Sequence, residues 1–168
     1  VEAKKSALLR SDDGGKSWAT VNAEPNVNPR PFYFGELRVD PQDPNRVYSV
    51  DFELRVSTDG GKSFRVAVPF GIADSGIHAD HHAMWIDPAD PEHFLLGNDG
   101  GVAVTDDGGK SNRFVSNLPL GQFYHVAFAL DTPYNVYGGL QDNGAWRGPS
   151  SVWQQGGIRN HMWKVLVF

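Results

Sequence analysis

The chain has 168 residues, and its 15 lysines and arginines are outnumbered by 20 aspartates and glutamates, which gives a net charge of −5. This balance excludes nucleic acid as the main partner, because phosphate binding needs clustered basic side chains. The absence of cysteine excludes disulfides and thiolate metal sites, and no apolar run is long enough to predict a membrane span. The 19 glycines and 11 prolines, with almost no helical periodicity, favour an all-β fold of short strands and tight turns.

The motif Ser/Thr-x-Asp-Gly-Gly-Lys-Ser occurs three times. Its copies start at Ser11, Ser57 and Thr105 and therefore lie 46 and 48 residues apart. A repeat of this length is typical of a four-stranded propeller blade. The motif predicts a hairpin turn in which the aspartate accepts backbone N–H groups and the glycines adopt positive φ. The aromatic residue that follows two of the copies is expected to pack between blades. The residues given this structural role are Ser11, Asp13, Gly15, Trp18, Ser57, Asp59, Gly61, Phe64, Thr105, Asp107 and Gly109.

A second repeated motif, built around Asp-Pro, covers residues 39–48 and 86–95, with a degraded copy at 130–137. Asp-Pro ends strands and makes turns. Each blade is therefore expected to run from strand A through an Asp-Pro turn to strand B, then through a short loop to strand C, the repeated turn and strand D.

The two motifs together predict a single partial β-propeller of about four four-stranded antiparallel blades. Because closed propellers have four to eight blades, we expect further blades of a longer protein, or a second copy, to close the ring. In the last blade a longer loop, 148–161, replaces the repeated turn between strands near 145–147 and 163–167. The predicted ranges are 1–22 for an incomplete first blade with a faint strand at 1–3, then 33–68, 81–116 and 122–168.

The candidate functional residues fall on the blade edge that carries the B–C loops and the D–A crossovers. His78, Asp80 and His82 stand at every second position, so in extended backbone they would share one face. Two histidines and a carboxylate can bind zinc or another divalent ion, or act as acid and base. The alternative is a polar lining of hydrogen-bonded side chains.

Three aspartates, Asp51, Asp99 and Asp142, occupy related positions in the B–C loops. Their recurrence beside glycine is consistent with Asx turns. A pair of carboxylates across a cleft is also what glycoside hydrolysis requires, and Asp99 with Asp142, or Asp80, could supply it. Asn143 joins this set as a ligand-binding candidate.

The D–A crossovers contribute a cation and several rings. Arg30 could bind a carboxylate. Tyr33, Tyr124 and His125 could stack on sugar rings or contact a peptide, or they could pack between blades.

The repeated turn resembles the Asp-box, or bacterial neuraminidase repeat, and the whole chain resembles bacterial glycosyl-hydrolase-like and sortilin-like repeat proteins. The matching segments are 9–18, 79–88, 97–101, 122–125 and 136–143. The resemblance implies a longer protein that is exported to the periplasm or the cell exterior. It departs from sialidases, whose arginine triad and Tyr/Glu pair are missing, and from xyloglucanases, whose catalytic carboxylates come from two propellers.

The sequence therefore predicts a propeller module that binds a polysaccharide or a peptide, or serves as a scaffold, within a larger bacterial protein. Two alternatives stay open. One is a glycoside hydrolase with paired aspartates, and the other is an enzyme with a divalent metal ion at His78, Asp80 and His82.

Overall fold

The computed structural model describes residues 6–29, 35–68, 77–118 and 120–167. Within these ranges the chain contains β-strands and two short 3-10 turns, Pro25–Val27 and Asn160–Met162, and no α-helix. The strands form one two-stranded and three four-stranded antiparallel sheets, in which neighbours along the chain pair in succession. This succession of antiparallel blades confirms the predicted all-β fold and partial propeller.

Each sheet lies inside one predicted blade range. Sheet one is β1 (Leu8–Arg10) and β2 (Ala19–Asn22), and sheet two is β3 (Glu36–Val39), β4 (Val47–Val50), β5 (Leu54–Ser57) and β6 (Arg65–Val68). Sheet three is β7 (His81–Ile86), β8 (Phe94–Asn98), β9 (Gly101–Thr105) and β10 (Arg113–Phe114). Sheet four is β11 (Phe123–Phe128), β12 (Asn135–Leu140), β13 (Ala145–Pro149) and β14 (Lys164–Val167). The faint strand predicted at 1–3 lies outside the described residues.

The chain divides into two compact units, Val1–Ser116 and Asn117–Phe168. The first holds sheets one to three and the second holds sheet four. None of the described helices is long and apolar enough to cross a membrane.

The main core of the first unit lies between sheets two and three. Alternation along β7 sends Met84 and Ile86 inward while Trp85 stays half exposed, as a pleated strand requires. Phe94 is fully buried and meets Tyr48 edge to face, with ring centroids 5.7 Å apart. Burial of one such aromatic side chain contributes about 1.5–3 kcal/mol, so this core fixes how the two sheets face each other.

The repeated turn has one hydrogen-bond pattern in all three copies. In the second copy the Ser57 hydroxyl accepts the Gly61 N–H at 2.8 Å and donates to Asp59 at 2.7 Å. Asp59 accepts the backbone N–H and the hydroxyl of Ser63 at 2.9 and 2.6 Å. Gly60 and Gly61 have φ of 75° and 93°, which confirms the predicted turn chemistry. The matching bonds join Ser11, Asp13, Gly15 and Ser17 in the first copy and Thr105, Asp107, Gly109 and Ser111 in the third.

The expectation that the aromatic after the turn packs between blades is wrong for Trp18. Its side chain is 62% exposed, and its indole N–H donates to the Gly15 carbonyl at 3.2 Å. The ring therefore closes its own turn, whereas Phe64 in the second copy is half-buried.

In the second unit, two aromatic rings, one on β11 and one directly before β14, cover glycines of the central strands. Phe123 packs on Gly138, and Trp163 lies so close to Gly148 that a Cβ there would be 2.6 Å from the ring. The ring centroids of Phe123 and Trp163 are 6.2 Å apart. Glycine at these positions makes room for the two rings.

Candidate functional site

The site is built where β7 begins, beside the β4–β5 loop. The N–H groups of Asp80 and His81 donate to the carbonyls of Phe52 and Asp51 at 3.1 and 2.9 Å. These bonds tie the start of sheet three to the loop edge of sheet two. They thereby hold the polar side chains of the β4–β5 loop next to those at the start of β7.

The predicted alternation of His78, Asp80 and His82 along one extended face is wrong. Asp80 has a φ of 57°, which is left-handed backbone, and β7 begins only at His81. Residues 78–80 therefore approach the sheet as a turn and not as a strand. Their role as a metal-ligand set stays a prediction.

His81, which the sequence reasoning passed over, takes the inward position. Counting back by twos from Ile86 and Met84 would place His82 inside, but the pairing register shifts between His81 and Ala83. The extra residue of this irregularity reverses the alternation, so His81 is only 2% exposed. No sequence signal marks this shift.

His82 instead forms a pair with Asp99. Nε2 of His82 lies 2.8 Å from Oδ1 of Asp99, and the side chains are 36% and 8% exposed. Since an ionised carboxylate only accepts, the imidazole donates in this bond. The pair therefore presents a partly exposed ring whose orientation is fixed by a nearly buried carboxylate.

The β8–β9 turn explains why Asp99 points towards His82. Asn98, rather than Asp99, makes the Asx-type bond of this turn, because its Oδ1 accepts the Gly100 N–H at 2.9 Å. A Cβ on Gly100 would lie 2.7 Å from Cβ of His78. Glycine thus lets the turn approach His78 closely and brings Asp99 next to β7.

Asp80 and Asp99 bring two carboxylates together. An oxygen of each lies within 4.8 Å of one of the other. Such oxygen pairs suit hard divalent cations better than zinc. The chemistry available here is cation or hydroxyl binding by two acidic groups beside an imidazole.

Burial shapes the electrostatics beneath this pair. Burial, as the largest cause, together with the nearby imidazoles of His82 and His78 lowers the pKa of His81 to about 4. His81 is therefore neutral at pH 7. Three buried polar atoms nearby have no hydrogen-bond partner among the described residues: His81 Nδ1, Asp51 Oδ2 and Asn98 Nδ2.

The third aspartate of the predicted set lies in the second unit. Asp142 has a φ of 49° and accepts the side-chain amide of Gln141 at 2.6 Å. Asn143 donates to the Gln141 carbonyl at 2.7 Å, and its own carbonyl accepts the Trp146 indole N–H at 2.6 Å. Asn143 thus holds the β12–β13 turn. A pairing of Asp99 with Asp142 stays a prediction.

The remaining predicted ligand-binding residues are dispersed. Tyr124 and His125 lie on β11 with exposed side chains, that of Tyr124 being 61% exposed. Arg30 and Tyr33 lie outside the described residues. Stacking on sugar rings by these side chains therefore stays a prediction.

A second histidine–aspartate pair lies at the opposite edge of sheet three. Nδ1 of His93 and Oδ1 of Asp106 are 2.5 Å apart, but the Asp106 side chain is 73% exposed. This pair has the chemistry of His82 and Asp99 without the burial. It provides a matched control within the same sheet.

No family model matches this sequence, and the search of curated proteins finds no match. Among solved structures, the chain resembles a Niastella koreensis GH74 enzyme with 18% identity and a TM-score of 0.52, over 88% of this chain and 25% of that one. It also resembles an ancestral GH74 enzyme (19% identity, TM-score 0.49, 86% and 20% of the two chains) and the GH74 xyloglucanase of Xanthomonas campestris (21%, 0.49, 86% and 25%). The chain thus spans a fifth to a quarter of these structures. The N. koreensis match shows the fold, a β-propeller of the kind that GH74 glycoside hydrolases have.

Proposed function

We propose that this chain is part of a glycan-binding propeller module of a larger exported protein, and that it binds through the loop edge of sheets two and three. The observation that carries the proposal is the His82–Asp99 pair, a partly exposed imidazole held at 2.8 Å by a nearly buried carboxylate. The repeated turns resemble Asp-boxes, and this resemblance supports the same class of protein. They lie at the opposite edge of the sheets and leave the loop edge as the candidate binding surface.

The pair suits sugar hydroxyls, because a hydroxyl both donates and accepts and can bridge a carboxylate and an imidazole. The fixed side chains lose little rotamer freedom on binding. A net charge of −5 and the carboxylates of Asp80 and Asp99 disfavour acidic polymers. We therefore expect a neutral polysaccharide in preference to an acidic one or a peptide.

The fold shared with a GH74 enzyme supports polysaccharide as the first ligand class to test. The same likeness supports a location outside the cytoplasm, where such polymers occur.

Binding can be measured by calorimetry with neutral β-glucan and xyloglucan oligosaccharides, with oligogalacturonate and an unstructured peptide for comparison. We expect His82→Gln and Asp99→Asn to weaken neutral-glycan binding about 10- to 100-fold, since each removes a hydrogen bond to a charged group. His93→Gln, the matched control, should bind as the parent chain does. Equal losses in His82→Gln and His93→Gln, or no glycan binding at all, would contradict the proposal.

A second candidate is glycoside hydrolysis, and the proximity of Asp80 and Asp99 favours it. One oxygen of each lies within 4.8 Å of one of the other, a proximity that is compatible with the separation of about 5–5.5 Å between carboxyl groups in retaining enzymes. Asp80→Asn should then abolish reducing-sugar release while glycan binding persists. If no sugar is released by the parent chain that binds the glycan, this candidate fails and the binding role stands.

A further inference from the structure

The β13–β14 loop, residues 150–163, lies where the other sheets have the repeated turn. Strands β1, β5 and β9 each lead into a copy of that turn, whereas β13 leads into this longer loop. The repeated turns use their aspartates for hydrogen bonds within the turn. The loop that replaces them contains neither the motif nor any acidic residue, so its side chains call for a different explanation.

Backbone hydrogen bonds fix the course of this loop. A tight turn in its middle is closed by the Gly157 N–H, which donates to the Gln154 carbonyl at 3.2 Å. Gly156 and Gly157 have φ of 100° and 71°, a backbone that glycine adopts without steric cost. The Met162 N–H then donates to the Arg159 carbonyl at 3.0 Å. The exposed side chains of the loop are therefore carried on an ordered backbone.

Trp153, directly before the tight turn, has a side chain that is 101% exposed. The other four tryptophans of the chain all use their rings within the protein: Trp18 and Trp146 donate their indole N–H to a backbone carbonyl at 3.2 and 2.6 Å, Trp85 meets His93 edge to face, and Trp163 lies on Gly148. Tryptophan is enriched at the centres of binding surfaces. A ring that the fold does not use, on an ordered loop, thus indicates a contact with a ligand.

The Arg159 guanidinium lies on the same turn. A Cβ on Gly156 would be 2.8 Å from Nη2 and 3.6 Å from Cζ of Arg159, so the charged group rests on the turn that starts next to Trp153. Within the described residues Arg159 forms no ion pair with a carboxylate. In the second unit, Asp131 of the β11–β12 turn is the one acidic residue at this edge of the sheet. The loop therefore presents a positive charge in a chain whose net charge is −5.

We infer that the β13–β14 loop binds uronate units of an acidic polysaccharide. The Trp153 ring stacks on the apolar face of the sugar, and the Arg159 guanidinium binds its carboxylate with the planar two-point geometry that suits this group. The exposed amides of Gln154 and Gln155 can both donate to and accept from sugar hydroxyls, which favours a sugar over an acidic peptide. The inference does not depend on the proposed function, because no residue from the loop edge of sheets two and three takes part.

The probe is a short oligogalacturonate, and its control is the same oligomer with every carboxylate methyl-esterified, so that the rings are kept and the charge is removed. The measurement is calorimetry on the full chain at about 0.15 M salt, where weak nonspecific attraction is screened. We expect saturable binding of the acidic oligomer and binding of the ester that is about tenfold weaker or more. His82→Gln should bind the acidic oligomer as the parent chain does, so a failure at this loop is distinguishable from a failure at the loop edge of sheets two and three.

Trp153→Ala and Arg159→Gln should each weaken binding of the acidic oligomer about tenfold or more. The matched controls, Trp18→Ala and Arg113→Gln, remove an exposed tryptophan and an exposed arginine from the first unit and should leave binding unchanged. Because the Trp153 and Arg159 side chains are exposed, urea unfolding of their variants should match the parent chain. Equal weakening by variants and controls would overturn the inference. So would equal binding of the ester, or equal binding of a polyglutamate peptide, which would show that charge alone attracts the ligand.

Discussion

Sheets two and three each have a turn edge, where the repeated turns lie, and a loop edge, where the β4–β5 and β8–β9 loops and the start of β7 lie. The two edges carry similar residues in different arrangements. At the turn edge, each repeated aspartate is surrounded by donors of its own turn, and the Ser111 hydroxyl and N–H with the Thr105 hydroxyl lower the pKa of Asp107 to about 2. At the loop edge, the Asp99 carboxylate holds a side chain from another strand, His82 of β7. The hydrogen bonds that recur in every repeated turn therefore stabilise the blades. The His82–Asp99 hydrogen bond is not part of that repeat, and it defines the candidate site.

Burial separates the two edges further. Aspartates of the turns remain at the surface, where their hydrogen bonds keep them ionised. The loop edge places His81 and Asp51 at 2% and 1% exposure, and each has one polar atom without a hydrogen-bond partner in the part of the chain that the structure describes. Buried polar groups of this kind are costly unless a partner satisfies them, which is a further reason to look for ligands at this edge.

The largest expected effect concerns the turn edge, in Gly61→Ala. Alanine at a φ of 93° is strained, and its Cβ would collide with Leu8. Gly15→Ala is the matched control, because it shares the left-handed backbone at 86° but its Cβ meets only Trp18 at 3.9 Å. We expect Gly15→Ala to lower the free energy of unfolding by about 1–2 kcal/mol and Gly61→Ala by a further 1–3 kcal/mol or so from overpacking. Urea unfolding of both variants measures the difference, and equal losses would show that Leu8 does not hold sheet one on sheet two.

The second expected effect distinguishes the edges by pH. His81 has a pKa of about 4 in the folded chain against 6.5 for an unperturbed histidine, so the unfolded state binds the proton first. The contribution of neutral His81 to the free energy of unfolding is fully present above pH 6.5. It is lost as the pH falls from 6.5 to 4, which lowers the free energy of unfolding by up to about 3 kcal/mol. For Asp13 and Asp107, whose pKa values are lowered to about 2 from 3.8, the contribution is lost only below pH 3.8.

Urea unfolding from pH 7 down to about pH 2 measures both windows. His81→Gln should flatten the upper window and leave the lower one in place. The neighbouring imidazoles of His78 and His82 and the carboxyl groups of Asp80 and Asp99 remain in that variant. An unchanged slope between pH 6.5 and 4 in His81→Gln would assign the upper window to those groups instead.

The sequence was sufficient to predict the structure of the turn edge, but it predicted the arrangement of residues at the loop edge only in part. Turn chemistry is local, so the spacing of Ser57, Asp59 and Gly61 determines both geometry and strand order. The loop edge depends on a register irregularity of β7 against β8 at His81 and on left-handed backbone at Asp80, whose N–H bonds to the distant Phe52 carbonyl, and local sequence patterns do not encode either feature. For this reason the sequence indicated the segment 78–82, but its placement of His78, Asp80 and His82 on one extended face was wrong and His81 was missed.

The smallest expected effect compares the two histidine–aspartate pairs by double-mutant cycles. The His82→Gln and Asp99→Asn cycle should give a coupling energy of about 1–2 kcal/mol, because the carboxylate is 8% exposed and would lose its imidazole donor. The His93→Gln and Asp106→Asn cycle should give about 0–0.5 kcal/mol, because water screens a carboxylate that is 73% exposed. Urea unfolding at pH 7 supplies both values. Coupling of equal size would mean that burial does not distinguish the pairs. It would also contradict the argument that the loop edge holds a preorganised donor and acceptor for a sugar hydroxyl.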